Sequence, residues 1–424
     1  MQIIRGSRDS AFMNLPSELL LHIAGYLSDD LEALLNLALL SRRLSAIARH
    51  ELFKVMDIRA LEEDYMEEYL HLVRELRAVP PFDHYADFLG AHALHKLTPR
   101  NLPRLRAFSI AELNLVRTSW VCQKDLSVLG SISSITTLSL SRVEFFQPLD
   151  MLAVICYLPH ITALSLDRVT IRGVDTPDLT AVVTNPAPAA TFEDAVERAK
   201  TRPQLARLAL DMNLMAMHVA RWLADEPSAL TTLSVDPTAS DAQFMLPHFG
   251  PTVVHLAVPL RSTGPLAPAE WTTPLRQYTA LRTLTLYIDA YRCFASAPTC
   301  QWTRLLRVLQ QGVPPTARAQ LDTLTLSVRL EDPDLHLLDD AVCWWALDPL
   351  DDVLAGPAGG YTGLKTVEVA VEWTMPGRRR MSLDLRDAAD AVGAKIRKRM
   401  GRLEGAGKLV VRYGVLCELS DSLI

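Results

Sequence analysis

Apolar residues recur at spacings of three and four through the first fifty positions. Leu19, Leu20, Ile23 and Leu27 line one face of a predicted helix. Pro16 stands at its start, where a missing N–H costs nothing. Ser28-Asp29-Asp30 stops that helix and offers caps for the next, with Glu32 three positions after Asp29 as in a capping box. Leu31, Leu34, Leu35, Ala38 and Leu39 form a second apolar face, and Leu44, Ile47 and Ala48 a third that ends near Leu52-Phe53. Three short helices are too few to bury a good core alone. So many large apolar residues in so small a unit imply that one face is kept for a partner.

The helical period continues. Leu61, Tyr65, Met66, Tyr69, Leu72, Val73 and Leu76 predict an amphipathic helix over 60–78, ended by Pro80-Pro81. A second short helix is expected over Tyr85–Leu97. Residues 58–101 thus read as a helical linker between the first unit and the remainder of the chain.

From residue 102 the pattern becomes L-x-x-L-x-L, repeated nine times. The copies begin at Leu105, Ile135, Ile161, Leu205, Leu230, Val253, Leu281, Leu321 and Leu364. Successive starts are as close as Leu230 to Val253 and as far apart as Ile161 to Leu205. Each copy predicts one short strand whose fourth and sixth positions point inward. Helix-like stretches lie between them at Leu152–Leu158, Glu193–Lys200, Leu214–Ala224, Trp302–Gln311 and Asp340–Leu354. Strand, helical crossover and strand imply parallel strands. The expected fold class is α/β: a curved solenoid over 102–375, with short parallel strands on the concave side and helices on the convex side. Single strands separated by helices also suit a doubly wound α/β domain.

After Leu364 the pattern changes. Val367–Trp373 and Met381–Leu385 flank Met375-Pro376-Gly377-Arg378-Arg379-Arg380, a turn suited to a hairpin. Asp384–Arg402 reads as a helix and Lys408–Leu416 as a final strand. Residues 376–424 are expected to cap the last repeat's edge.

Two stretches resemble known families. Leu15-Pro16, Glu18, Ile23, Leu27, Asp30-Leu31 and Ser41-Arg42-Arg43-Leu44 occur in the order found in an F-box, so residues 13–57 resemble that family. The departure is Leu44, where many members carry Trp. The resemblance implies docking to a Skp-type adaptor, and through it to a cullin, by Leu15, Pro16, Leu19, Ile23, Leu27 and Leu31. The repeats resemble a degenerate leucine-rich repeat protein. Of the residues at that family's Asn or Cys position, only Asn213 fits, and long insertions separate several copies.

Composition narrows the picture. The chain has 424 residues, with 49% hydrophobic and 22% charged, an ordinary globular balance. A net charge of −6 gives no bulk attraction for nucleic acid. Six scattered cysteines without CxxC suggest reduced thiols in a cytoplasmic or nuclear protein. No apolar run is long enough to span a membrane, and residues 1–12 read as a flexible N-terminus.

Candidate chemistry is sparse. No nucleophile elbow, phosphate loop or H-E-x-x-H is present. His92 and His95 share a helical face without a third ligand, so no metal or cofactor is expected. On the strands, positions three, five and seven should face away from the core. Positions three and five form a floor of small and hydroxyl side chains, with Arg207 and His255 standing on it. Position seven carries Asp167, Asp211 and Asp236 in three consecutive copies. Strands about 4.8 Å apart would set these carboxylates in a ladder suited to Lys or Arg of a target; equally, each caps its own turn. Arg378-Arg379-Arg380 and Lys395, Arg397, Lys398, Arg399 and Arg402 are basic clusters that suit an anionic partner or a cation-complemented helix end. The sequence therefore reads as a non-enzymatic substrate receptor of a ubiquitin ligase, holding an unidentified protein target. The alternatives are a scaffold that binds the adaptor without ubiquitin transfer, and an α/β enzyme with an unrecognised site.

Overall fold

The computed structural model describes residues 15–28, 30–79, 96–112, 128–145, 148–172, 202–210, 219, 222–223, 229–235, 246, 249–260, 275–289, 301–330, 344–376 and 383–418. The chain divides into two compact units, Met1–Phe146 with Asp150–Ile161, and Gln147–Leu149 with Thr162–Ile424.

The first unit opens with α1 (Ser17–Tyr26), α2 (Leu31–Leu40) and α3 (Arg42–Leu52). Their core is Leu20, Ala24, Leu34, Leu37, Leu44, Ile47 and Ala48, with Leu15, Leu21, Leu27, Ala38 and Leu52 packed partly against it. Each helix start is fixed locally. The Pro16 carbonyl accepts from Leu19 and Leu20 N–H, both at 3.1 Å. The Asp30 carboxylate accepts from Ala33 N–H at 2.9 Å, so Asp30 is the cap of α2. The Ser41 hydroxyl accepts from Leu44 N–H at 3.1 Å and caps α3.

Only Phe53 and Lys54 separate α3 from β1 (Val55–Asp57). Two 3₁₀ segments come next, Ile58–Glu62 and Asp64–Leu72, and then β2 (Glu75–Ala78). The helix expected over 60–78 is therefore replaced by 3₁₀ turns and a strand. The reason lies in Val73, Leu76 and Ala78, which are buried and repeat the L-x-x-L-x-L spacing. The Lys54 carbonyl accepts from Arg74 N–H (2.8 Å) and Glu75 N–H (3.0 Å), which commits that backbone to the sheet. The helix expected over Tyr85–Leu97 falls mostly outside the described residues. β3 (Ala107–Ala111) and β4 (Thr137–Ser141) continue the run, all parallel, with Val55 opposite Glu75, Glu75 opposite Ala107 and Ala107 opposite Thr137. The expected helix at Leu152–Leu158 is α4 (Pro148–Cys156).

In the second unit every remaining copy of the motif carries a strand. These are β5 (Ala163–Asp167), β6 (Arg207–Leu210), β7 (Thr232–Val235), β8 (His255–Pro259), β9 (Thr283–Asp289), β10 (Thr323–Leu330) and β11 (Thr366–Pro376). All are parallel and in register at equivalent motif positions, as in Thr283, Thr323 and Thr366. The fourth and sixth positions are buried in each. Among the described strands of this unit, neighbours follow chain order, without the reversal that marks a doubly wound sheet. Crossovers contain α5 (Gln301–Arg307), extended by a π turn Val308–Gly312, α6 (Pro315–Gln320) and α7 (Leu347–Ala355). The helix expected at Glu193–Lys200 lies outside the described residues.

The expected hairpin after Met375 does not form. Residues 383–385 belong to α8 (Leu383–Arg399) rather than to a returning strand. After the short α9 (Gly401–Gly405), β12 (Leu409–Glu418) runs parallel to β11, with Val367 opposite Leu409. A two-residue turn joins only antiparallel strands; here a helical crossover brings the chain back in the same direction. The C-terminal segment thus adds a strand to the sheet. Asp351 on α7 fixes this crossover: its carboxylate, in a buried residue, accepts from Arg402 N–H (2.8 Å) and Leu403 N–H (3.0 Å) in α9.

Candidate functional site

The three helices present more apolar surface than their core uses. Leu19 (49% exposed), Tyr26 (79%), Leu31 (64%), Leu35 (49%), Leu39 (84%) and Leu40 (69%) all face solvent. On α2 the division is sharp: Leu34 and Leu37 are buried, while Leu31, Leu35 and Leu39 recur every four residues along the exposed side. On α1, Leu20 and Ala24 point inward, while Leu19, half-buried Ile23 and Tyr26 form the outer stripe. Solvent-facing leucines at this density form an apolar patch of the kind that marks interaction sites.

Of the residues expected to dock, Pro16, Leu19 and Leu31 are exposed. Leu15, Ile23 and Leu27 are half-buried, and Leu15 and Leu27 also pack on the core. Tyr26, Leu35, Leu39 and Leu40 join the surface without being among the expected residues. Their signal is the composition of α2, LEALLNLALL: with only Glu32 and Asn36 polar, the helix has more apolar side chains than one core-facing stripe can bury. The start of α1 is tied to α3 by Arg43, whose Nη2 donates to the Leu15 carbonyl at 2.7 Å and to the Ser17 hydroxyl at 3.1 Å.

The F-box-like family model matches residues 12–59. These residues are an F-box-like domain, and the exposed leucines belong to it. F-box domains bind Skp-type adaptors, which supports such an adaptor as a partner. No curated protein matches the chain.

The outward strand face is the second candidate. Its third and fifth positions are mostly half-buried small and hydroxyl residues, as the spacing predicts. Arg207 and His255 stand exposed on it, on either side of Thr232. Asp167 is half-exposed, its carboxylate 3.5 Å from Arg168 Nε. Asp211 and Asp236 lie outside the described residues, as do His92, His95 and Arg378-Arg379-Arg380.

The basic end of α8 and the following α9 carry ion pairs. Arg399 meets Asp348 at 2.7 Å, Arg402 meets Asp352 at 2.9 Å, and Arg397 meets Glu404 at 3.8 Å. At the strand starts, Asp322 lies 2.7 Å from Lys365 Nζ and 3.4 Å from Arg282 Nη1. The hydrogen bond from Lys365, with that of Arg282, holds the Asp322 carboxyl below the ordinary carboxylate range. Among the described residues no group of three or more His, Cys, Asp or Glu is placed to hold a metal ion. No described helix is long and apolar enough to cross a membrane.

Proposed function

We propose that the protein is a non-catalytic substrate receptor of a Skp–cullin–F-box ubiquitin ligase. The F-box-like domain docks on the adaptor, and the parallel strands form a leucine-rich-repeat-like solenoid whose outward face holds a protein target. The observation that carries this reading is the set of exposed leucines on α1 and α2 beside a buried three-helix core. An apolar helix face of this kind fits a hydrophobic groove on a partner. Catalysis is by proximity: holding the target near charged ubiquitin raises the effective concentration of its lysines, and no nucleophile from this chain takes part. Asp167, Asp211, Asp236, Arg207 and His255 are the proposed target contacts.

The test is reconstitution. The full chain, mixed with a Skp-type adaptor, cullin and RING subunit, is expected to copurify as one complex and to support ubiquitin transfer to a captured target. Copurification with adaptor alone, without cullin, would make the protein a scaffold instead.

A further inference from the structure

We propose that Arg207, Thr232 and His255 form a notch that recognises an acidic side chain in an extended segment of the target. This rests on the reading that the strand face holds the target. The three residues occupy the third motif position of β6, β7 and β8. The register sets Arg207 opposite Thr232, and Thr232 opposite His255. With strands about 4.8 Å apart, the outer two backbones stand roughly 10 Å from one another, a gap that long side chains on both sides can close on one carboxyl group. Two residues further along, Ala209, Ser234 and Ala257 are in register on the same face. Their small side chains leave room for a ligand to sit low between Arg207 and His255.

The chemistry is that of donors. The guanidinium offers a planar fork, the imidazole a ring N–H and Thr232 a hydroxyl. Arg207 and His255 are exposed, and neither side chain has a hydrogen-bond or ion-pair partner among the described residues; only their backbone N–H groups are engaged, with Thr162 and Thr231. Leu208, Leu233 and Leu256, buried directly beneath, fix the three strands, so the donors stand on a rigid platform. A carboxylate matches the charge better than a phosphate. Arg207 supplies one permanent positive charge, a carboxylate carries one negative charge, and a phosphate monoester carries nearly two. The chain's net charge of −6 disfavours the second.

The test uses the full chain and a fluorescent acetyl-Gly-Glu-Gly-Glu-Gly amide peptide, beside versions with Gln or phosphoserine at both Glu positions. The Glu peptide is expected to bind and the Gln peptide to bind at least tenfold more weakly. Arg207→Glu should weaken the Glu peptide at least tenfold and His255→Ala severalfold, with unchanged thermal melting. Equal binding of Glu and Gln peptides, insensitivity to Arg207→Glu, or no binding at millimolar peptide overturns the proposal. An Arg207-dependent preference for the phosphoserine peptide overturns the carboxylate assignment. Adaptor retention by Arg207→Glu separates the two readings: its presence beside lost peptide binding supports the notch, and failure of the intact chain to bind adaptor counts against the receptor reading alone.

Discussion

The Arg43 guanidinium donates to the Leu15 carbonyl at 2.7 Å and so ties the first turn of α3 to the Leu15-Pro16 entry of α1. The same group reaches the Ser17 hydroxyl. Arg43 is thus a positioning residue for one edge of the proposed docking surface. Arg43→Ala removes both bonds in a solvent-exposed setting, and a stability loss of about 1 kcal/mol is expected. Adaptor affinity should fall further than stability does. Urea unfolding and adaptor titration on the same variant check the pair of effects.

Buried and exposed leucines on α2 should separate stability from binding. Leu34→Ala empties a core position and is expected to cost about 2–5 kcal/mol. Leu39→Asp changes a side chain that is 84% exposed; with an acid in the last turn of α2 it should cost about 1 kcal/mol, well below the core substitution. Adaptor binding should nonetheless be lost in Leu39→Asp. Equal effects of the two variants on melting temperature would contradict the assignment of faces.

Gly393 on α8 faces β12 at close range. A Cβ at this position would meet the Tyr413 hydroxyl inside van der Waals distance. Gly393→Ala is therefore expected to destabilise the second unit by about 1–3 kcal/mol, the range for overpacking. Adding Tyr413→Phe removes the clashing oxygen but leaves ring carbon Cζ at 2.9 Å, so only part of the loss should return. The hydroxyl is buried without a hydrogen-bond partner among the described residues, so its removal alone should cost little. Thermal melts of the two single variants and the double variant test the coupling.

The Asp322 cluster predicts an acid-sensitive contribution. Because Lys365 and Arg282 hold the folded carboxyl below its ordinary value, the stabilisation is present above the unfolded pKa of about 4 and is lost as pH falls through the lower folded value. The group is exposed, so the effect should be small and weakened by salt. Carbon-13 NMR titration of Asp322 should show a midpoint below that of Asp322 in a Lys365→Ala/Arg282→Ala variant. Identical midpoints would remove the basis for the effect.

The strands are legible in the sequence because their signal is local. All nine predicted copies carry one, and buried and outward positions alternate in most of them; Ala163, Pro259 and Ser327 are outward positions that are buried as well. β1 and β2 are not legible, because 3₁₀ turns carrying Met66 and Leu70 imitate helical spacing just before Val73, Leu76 and Ala78. The last crossover is hidden for a similar reason. Met375-Pro376-Gly377 has turn chemistry, but the parallel pairing of β11 with β12 overrides it. At the docking surface, period locates the helices but does not decide which leucines the core takes. Leu34 and Leu35 are indistinguishable in chemistry, and only the packing of α2 on α3 separates them. The expected acidic ladder reaches the described residues only at Asp167, where a neighbouring arginine already shares its charge.

Isothermal titration of a Skp-type adaptor into the full chain, beside a Leu35→Asp/Leu39→Asp variant, tests the central claim most directly. The account predicts specific binding by the intact chain. It also predicts a loss of at least a hundredfold, about 2.7 kcal/mol, in a variant that still unfolds cooperatively. Equal affinity for both chains, or no binding by either, would contradict it.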